Sequence, residues 1–172
     1  MASIHEIMPW ENPEIWQRIR AVTIPAWISG HENIFTEEEI ERVKAMKENE
    51  LFVTSWPIPK TARTFVAAAG GNLIGVAQMR PQVPTAHGEY ALVEPMMVLP
   101  GQQRKGTGQS LWAVMAAASK QRGDKGMTVW ALDRNPKAMN FYGTKLRLRT
   151  VGKGEFRLGD RIEATTEFRY DH

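Results

Sequence analysis

One loop of the chain, Gln103-Arg104-Lys105-Gly106-Thr107-Gly108, carries residue types suited to binding an anion. Its glycines let main-chain N–H groups approach a ligand closely, while its arginine and lysine supply positive charge. The loop stands between an apolar run and a stretch with helical periodicity, so these N–H groups would lie at the positive end of a helix dipole. The sequence therefore predicts a phosphate-binding loop. The alternative is a helix start that uses its glycines only for flexibility.

Two common nucleotide-binding motifs do not fit this loop. Gly101 and Gly106 have the spacing of the P-loop glycines, but Thr107 stands where that motif requires a lysine. The dinucleotide-binding pattern Gly-x-Gly-x-x-Gly is also missing, because Leu111 follows Gly108 at the position of its last glycine. Chemistry at a nucleotide γ-phosphate is therefore disfavoured.

Thiol and metal chemistry find no support in the sequence. The 172 residues include no cysteine, which excludes a thiol nucleophile, disulfides and thiolate zinc sites. The four histidines, at positions 5, 31, 87 and 172, are too scattered for a HExxH motif. We therefore expect no bound metal. The absence of cysteine favours a cytoplasmic protein over a small secreted one.

Composition and charge narrow the class of protein further. Apolar residues make up 42% of the chain and charged residues 24%, which is typical of one globular domain, here residues 1–172. The net charge of +3 is mild and does not by itself imply a nucleic-acid partner, so none is expected. The chain shows neither an apolar run long enough to cross a membrane nor a signal-peptide pattern, so no membrane partner is expected.

Periodicity and turn residues predict the elements that would position the loop. Predicted strands cover 4–8, 64–69, 73–80, 91–99, 127–132, 155–158 and 162–170. Four helices are predicted. The first runs from 13 to near 30, the second begins at a capping box at 36–39, the third runs from the loop to Gly123, and the fourth begins at Asn135-Pro136. Strand 91–99, the loop, the helix and strand 127–132 form a right-handed βαβ unit. Pro95 cannot donate to a ladder, which predicts a bulge or an edge position there.

Two ordered motifs resemble the GNAT superfamily of acyl-CoA-dependent N-acyltransferases. Residues 98–108 resemble that family's strand followed by (Gln/Arg)-x-x-Gly-x-(Gly/Ala), and 135–142 resemble its Asn-x-x-Ala-x-x-(Phe/Leu)-Tyr helix. The resemblance covers roughly residues 61–170. It implies an α/β fold with a mixed, mostly antiparallel central sheet, flanked by helices and splayed between strands 4 and 5. Residues 1–60 would form an N-terminal strand and acceptor-side helices, and 61–172 the acyl-CoA-binding core.

The resemblance also implies an activity and a set of site residues. The activity is direct transfer of an acetyl group from the co-substrate acetyl-CoA to a primary amine of a small molecule or a protein, in a ternary complex. Loop 103–108 would bind the coenzyme phosphates, and the main chain of Met97 and Val98 and the side chain of Asn135 would contact the pantetheine arm. Tyr142 would protonate the departing thiolate, and Trp27, His31 and Phe35 would lie near the acceptor.

Several alternatives stay open at this stage. Asn135 is equally well explained as a helix N-cap. A non-catalytic acyl-CoA-binding or regulatory module would keep the loop without transferring the acetyl group, and a phosphate-binding regulatory domain would not bind coenzyme A at all. The resemblance does not choose an acceptor amine, and it allows a homodimer.

Acetyl transfer to an amine requires a base, because an amine with a pKa of ~10.4 is almost fully protonated at neutral pH. Glu94 is the candidate, since it stands four residues before Val98 and shares its strand face if alternation holds across Pro95. Glu89 and His87 are alternatives, and Glu94 could instead be merely solvated or salt-bridged.

Overall fold

The computed structural model describes residues 2–8, 14–45, 61–85 and 88–172. Seven strands form one sheet in the order β1-β2-β3-β4-β5-β7-β6. The strands are β1 (Ser3–Ile7), β2 (Arg63–Ala69), β3 (Asn72–Thr85), β4 (Gly88–Val98), β5 (Gly126–Leu132), β6 (Arg149–Leu158) and β7 (Arg161–Asp171). All neighbouring strands are antiparallel except β4 and β5, which are parallel. This mixed α/β architecture is the predicted one.

Four α-helices accompany the sheet in the described part of the chain. They are α1 (Glu14–His31), α2 (Glu37–Ala45), α3 (Thr107–Arg122) and α4 (Pro136–Met139), the last of which continues as a π-helical segment, Asn140–Lys145. A single 3-10 turn, Pro100–Gln102, follows β4. The capping box before α2 is confirmed, because the Thr36 N–H donates to Glu39 Oε2 at 2.7 Å and the Glu39 N–H donates to Thr36 Oγ1 at 3.3 Å.

The sheet splits between β4 and β5. These two strands pair only through 91–93 and 127–129, and then they separate. Beyond that point β4 continues along β3 as far as Val98, and β5 continues along β7 as far as Leu132. Ala77 pairs with Met96 but Met79 pairs with Val93, so β4 carries one extra residue at 94–95, near the start of the split, which confirms the bulge predicted at Pro95.

Helices cover both faces of the sheet and create separate cores. On one face α3 packs Leu111 and Met115 against residues such as Phe65 of β2. On the other face α1 packs Ile19 and Val22 against the neighbouring β2 residue, Val66. Consecutive strand residues point to opposite faces, so β2 contributes to both cores.

Strand β6 begins six residues earlier than predicted, at Arg149 rather than at 155. Gly152 and Gly154 weaken the local strand signal, because glycine has low β propensity. In the structure both residues pair with β7, opposite Glu167 and Thr165. Pairing with a long neighbouring strand therefore overrides local propensity here.

Gly126, the first residue of β5, packs directly against the main chain of β7. A β-carbon at this position would stand 1.9 Å from the carbonyl oxygen of Tyr170. We expect Gly126→Ala to lower the free energy of unfolding by about 2 kcal/mol or more, because only a shift of the β7 backbone could relieve the clash. Urea denaturation measures this loss. Gly101→Ala is the control, since its β-carbon would meet no atom within 4 Å; equal losses in the two variants would contradict the expectation.

Candidate active site

A cleft of about 1290 Å³ opens where β4 and β5 separate. Most residues singled out in the sequence line it: Trp27, His31, Glu94, Met97, Val98, Gln103, Arg104, Gly106, Gly108, Asn135 and Tyr142. Phe35, Lys105 and Thr107 do not belong to its lining. The tertiary structure thus gathers side chains from α1, β4, the loop and the α4 region around one space.

The loop before α3 offers main-chain donors to this cleft. Gly106 is the N-cap of α3, in the left-handed conformation at φ 85°, and no side chain caps the helix. The first helical N–H with a partner inside the helix is that of Ser110, which donates to the Gly106 carbonyl at 2.9 Å. The three N–H groups of 107–109 therefore have no acceptor in the preceding turn, as helix geometry requires. Such an N-terminus binds anions, phosphates in particular.

Side chains of the loop hold it in place and set its charge. Gln103 donates from Nε2 to the Val98 carbonyl at 3.1 Å, which fastens the loop to the end of β4. Arg104 lines the cleft, whereas Lys105 donates to Gln102 at 3.2 Å, outside the lining. A β-carbon on Gly108 would lie 3.1 Å from Phe141, so glycine allows the start of α3 to approach the π-helical segment closely.

The main chain of β4 presents polar groups to the cleft at alternate residues. The Leu99 N–H donates to the Ile74 carbonyl at 2.9 Å, and Gly75 pairs with Val98. In this antiparallel pattern the N–H and C=O of Val98 point away from β3, as do those of Met96 two residues earlier. The groups of Met97 face its ladder partner, Val76. The family resemblance implies main-chain contacts with a ligand at Met97 and Val98. The strand geometry instead favours Met96 and Val98 for such contacts.

The position of Asn135 is compatible with both functions considered for it, the helix N-cap and a contact with a ligand in the cleft. Its Oδ1 accepts from the Ala138 N–H at 3.0 Å, which makes it the N-cap of α4. Its amide nitrogen donates to no other described residue and lies beside Gly30, where a β-carbon would come within 3.2 Å. The cap thus uses the oxygen, and the nitrogen stays available on the cleft wall.

Tyr142 is held in the π-helical segment, whose bonds include Leu146 N–H to Phe141 C=O at 2.9 Å. Such segments are frequent at functional sites. The Tyr142 ring is packed by Trp112, Phe141 and Phe168, with centroid distances of 5.3–6.2 Å. Its hydroxyl bonds to no other described residue. Burial raises the pKa of the phenol well above its ordinary value, so the group stays protonated.

Glu94 lines the cleft as an ion pair with Arg80 of β3, and both side chains are partly buried. This pairing matches the salt-bridged alternative stated for Glu94, although it also fixes the carboxylate at the cleft wall. Glu89 lies at the far end of β4 and outside the cleft lining. His87 lies outside the described residues.

Trp27, His31 and Phe35 form a stacked array at the end of α1. The Trp27 and His31 rings lie 4.6 Å apart, and the Trp27 and Phe35 rings 5.2 Å apart. His31 Nδ1 donates to the Trp27 carbonyl at 2.6 Å, which leaves Nε2 as the unprotonated nitrogen of the neutral ring. Burial lowers the pKa of His31. Trp27 and His31 reach the cleft, and Phe35 supports them from behind.

Further cleft residues carry no motif that sequence reasoning could detect. They include Arg80, Met96, Trp130, Glu155 and Phe156. Strand alternation counted from Val98 could have found Met96. The others lie on strands β3, β5 and β6, and only the assembled sheet brings these strands to the cleft.

The described ranges contain no structural feature that indicates metal binding or a helix that crosses a membrane. Residues 2–8, 14–45, 61–85 and 88–172 hold no group of three or more acidic or histidine side chains arranged for a metal ion. Among the helices of these same ranges, none combines the length and hydropathy needed to cross a bilayer.

Comparison with protein families gives one broad match. The sequence profile described as the Acetyltransferase (GNAT) family matches residues 3–146. A search of curated protein sequences finds no significant match.

Solved structures share the fold at low sequence identity. PaiA N-acetyltransferase from Thermoplasma acidophilum, in complex with coenzyme A, is 19% identical with a TM-score of 0.69, covering 98% of this chain and 99% of that one. The ribosomal-protein-S18-alanine N-acetyltransferase of Escherichia coli is 15% identical with a TM-score of 0.63, covering 99% and 94%. A Bacillus anthracis protein described as a streptothricin acetyltransferase, in complex with acetyl coenzyme A, is 17% identical with a TM-score of 0.56. The match covers 65% of this chain and 63% of that one.

His31 makes stability depend on pH. Because its folded-state pKa lies below the ordinary 6.5, the unfolded chain binds the imidazole proton first as the pH falls. We expect the free energy of unfolding of the wild type to decrease from about pH 7.5 to about pH 5.5. In the His31→Gln variant this decrease should be smaller, because the titrating imidazole is absent. Urea titrations at both pH values measure it. His5→Gln, at an exposed position, is the control; an unchanged pH dependence in His31→Gln would contradict the expectation.

Proposed function

The chain belongs to the Acetyltransferase (GNAT) family, and from this premise we propose that it transfers an acetyl group from acetyl-CoA to a primary amine of a small molecule or a protein. One observation carries the proposal. An uncapped helix N-terminus, strand groups that face away from β3 and a protonated tyrosine all border the same cleft. We propose that residues 1–172 act as one unit, with the acceptor side in 1–60 and the coenzyme side in 61–172.

The diphosphate and the pantetheine arm of the coenzyme have matching groups in the cleft. The N–H groups of 107–109 and the Arg104 guanidinium suit the diphosphate, because anions bind helix N-termini and guanidinium groups strongly. The outward main-chain groups of Met96 and Val98 can bond the amides of the pantetheine arm, as a neighbouring strand would. The Asn135 amide nitrogen adds a donor from the opposite wall.

Tyr142 is proposed as the acid of the reaction. When the amine nitrogen forms a bond to the thioester carbon, the carbon–sulfur bond breaks and negative charge develops on sulfur. A phenol that remains protonated and has no competing partner among the described residues can donate its proton to that sulfur. Nothing in this step requires a covalent bond between the enzyme and the acetyl group.

Glu94 is proposed as the base that takes the proton of the acceptor amine. Its ion pair with Arg80 holds the carboxylate at the cleft wall but also competes for its lone pairs. His31 is proposed to accept a hydrogen bond from the amine through Nε2, since Nδ1 is committed to the Trp27 carbonyl. Together these groups would orient an uncharged amine toward the thioester.

Arg104 and Lys105 offer a matched test of coenzyme binding, because either substitution to alanine removes one positive charge from the same loop. We expect Arg104→Ala to weaken coenzyme A binding about tenfold, the usual scale of one charge-assisted hydrogen bond. Lys105→Ala should have a much smaller effect, since Lys105 is outside the cleft lining. Isothermal titration calorimetry measures both affinities, and an equal effect of the two substitutions would argue against direct contact by Arg104.

Tyr142→Phe tests the chemical step. The substitution keeps the packed ring and removes a hydroxyl that bonds to no other described residue, so the fold should remain intact. We expect kcat to fall by about 10²–10⁴, the range of general acid catalysis, with coenzyme affinity little changed. Thiol release from acetyl-CoA measures kcat. A wild-type protein that binds acetyl-CoA but acetylates no amine would instead favour the non-catalytic acyl-CoA-binding module.

A further inference from the structure

Trp130 of β5 presents an indole ring to the cleft, and 43% of this residue is exposed. The ring crosses β7 and lies over glycines of β6. A β-carbon on Gly154 would stand 2.7 Å from Trp130 Cζ3, and one on Gly152 would stand 4.0 Å from Cη2. The two glycines therefore leave the space that the indole occupies beside β6. Ligand pockets are lined mainly by hydrophobic and aromatic side chains, so an indole exposed to the cleft is a candidate ligand contact.

Other apolar side chains line the same cleft as the indole. Leu132 is buried in a cluster that also includes Trp27 and Phe156. With Trp130 these three residues line the cleft, and we call the four side chains the aromatic wall. The wall joins α1 to β6, so it stands on the side of the cleft away from the α3 N-terminus.

Cationic side chains outnumber carboxylates in the described part of the cleft lining, which contains Arg80, Arg104, Lys137 and Lys145. In the described part of the chain, the cleft lining contains two carboxylates, those of Glu94 and Glu155. Glu94 pairs with Arg80, and Glu155 pairs with Arg157 at 3.1 Å. A ligand with several positive charges would meet no carboxylate without a cationic partner. A ligand carboxylate would have to displace Glu94 in order to reach Arg80.

We infer that the acceptor is a primary amine with one ionisable nitrogen on a short linker to an aromatic ring, and that this ring packs on Trp130. The inference rests on the proposed function and adds the acceptor class to it. In the reaction the amine nitrogen gains the acetyl carbon and loses one proton, the carbon–sulfur bond breaks, and coenzyme A leaves as the thiol. Stacking of two aromatic rings supplies affinity that an aliphatic chain lacks.

The test compares three acceptors by acetyl-CoA-dependent thiol release: 2-phenylethylamine, n-butylamine and spermidine. For the wild type we expect kcat/KM to be highest for 2-phenylethylamine, at least tenfold above the other two. Trp130→Ala should raise the KM for 2-phenylethylamine about tenfold and leave the KM for acetyl-CoA unchanged. Trp130→Phe should retain most of the preference, because it keeps an aromatic face.

Gly154→Ala gives a second, independent perturbation that keeps the indole. Its β-carbon forces the ring off the sheet, so the KM for 2-phenylethylamine should rise although Trp130 is present. Ile162→Ala is the matched control, since it removes another exposed apolar side chain, on neighbouring β7 and outside the cleft lining. Circular dichroism checks that each variant is folded.

Distinct results would overturn the inference and the proposed function. A preference for spermidine or n-butylamine, or a Trp130→Ala variant with unchanged KM for 2-phenylethylamine, would overturn the acceptor class while acetyl transfer stands. A wild type that acetylates none of the three amines but acetylates another primary amine in a broad panel would also overturn the acceptor class, and one that acetylates no primary amine would overturn both.

Discussion

A main-chain hydrogen-bonding group buried within a sheet needs a partner, and the separation of β4 from β5 removes the neighbouring strand from part of β4. The outward groups of Met96 and Val98 must then bond to something other than a strand. The Val98 carbonyl receives one bond from Gln103. Water or an extended ligand lying along β4 can satisfy the others. The cleft is thus a consequence of sheet geometry before any side chain is considered.

The uncapped α3 helix faces the same requirement at the end of the cleft. Its first N–H groups have no acceptor within the helix. The N-cap residue is Gly106, in the left-handed conformation, and it has no side chain that could cap them. Gln103 connects this loop to β4, and Gly108 lets the helix approach Phe141 of the π-helical segment. The main-chain donors at the start of α3 and the Tyr142 phenol are therefore positioned by one connected set of contacts.

The opposite side of the cleft is built differently. There the geometry depends on apolar packing between α1, β5 and β6 rather than on main-chain donors. Paired charges such as Arg80 with Glu94 leave the apolar surfaces to distinguish ligands. The side rich in backbone donors is the one proposed for the coenzyme, and the side rich in aromatic rings is the one proposed for the acceptor.

Local sequence determined much of this protein. The capping box, the β2–β3 hairpin, the glycine loop and the Asn135 cap could be read from neighbouring residues because their bonds join residues close in the chain. Tertiary structure decided the rest. The ion pair of Glu94 and the indole over Gly154 depend on strand register and on strands distant in sequence, and no local pattern encodes such contacts.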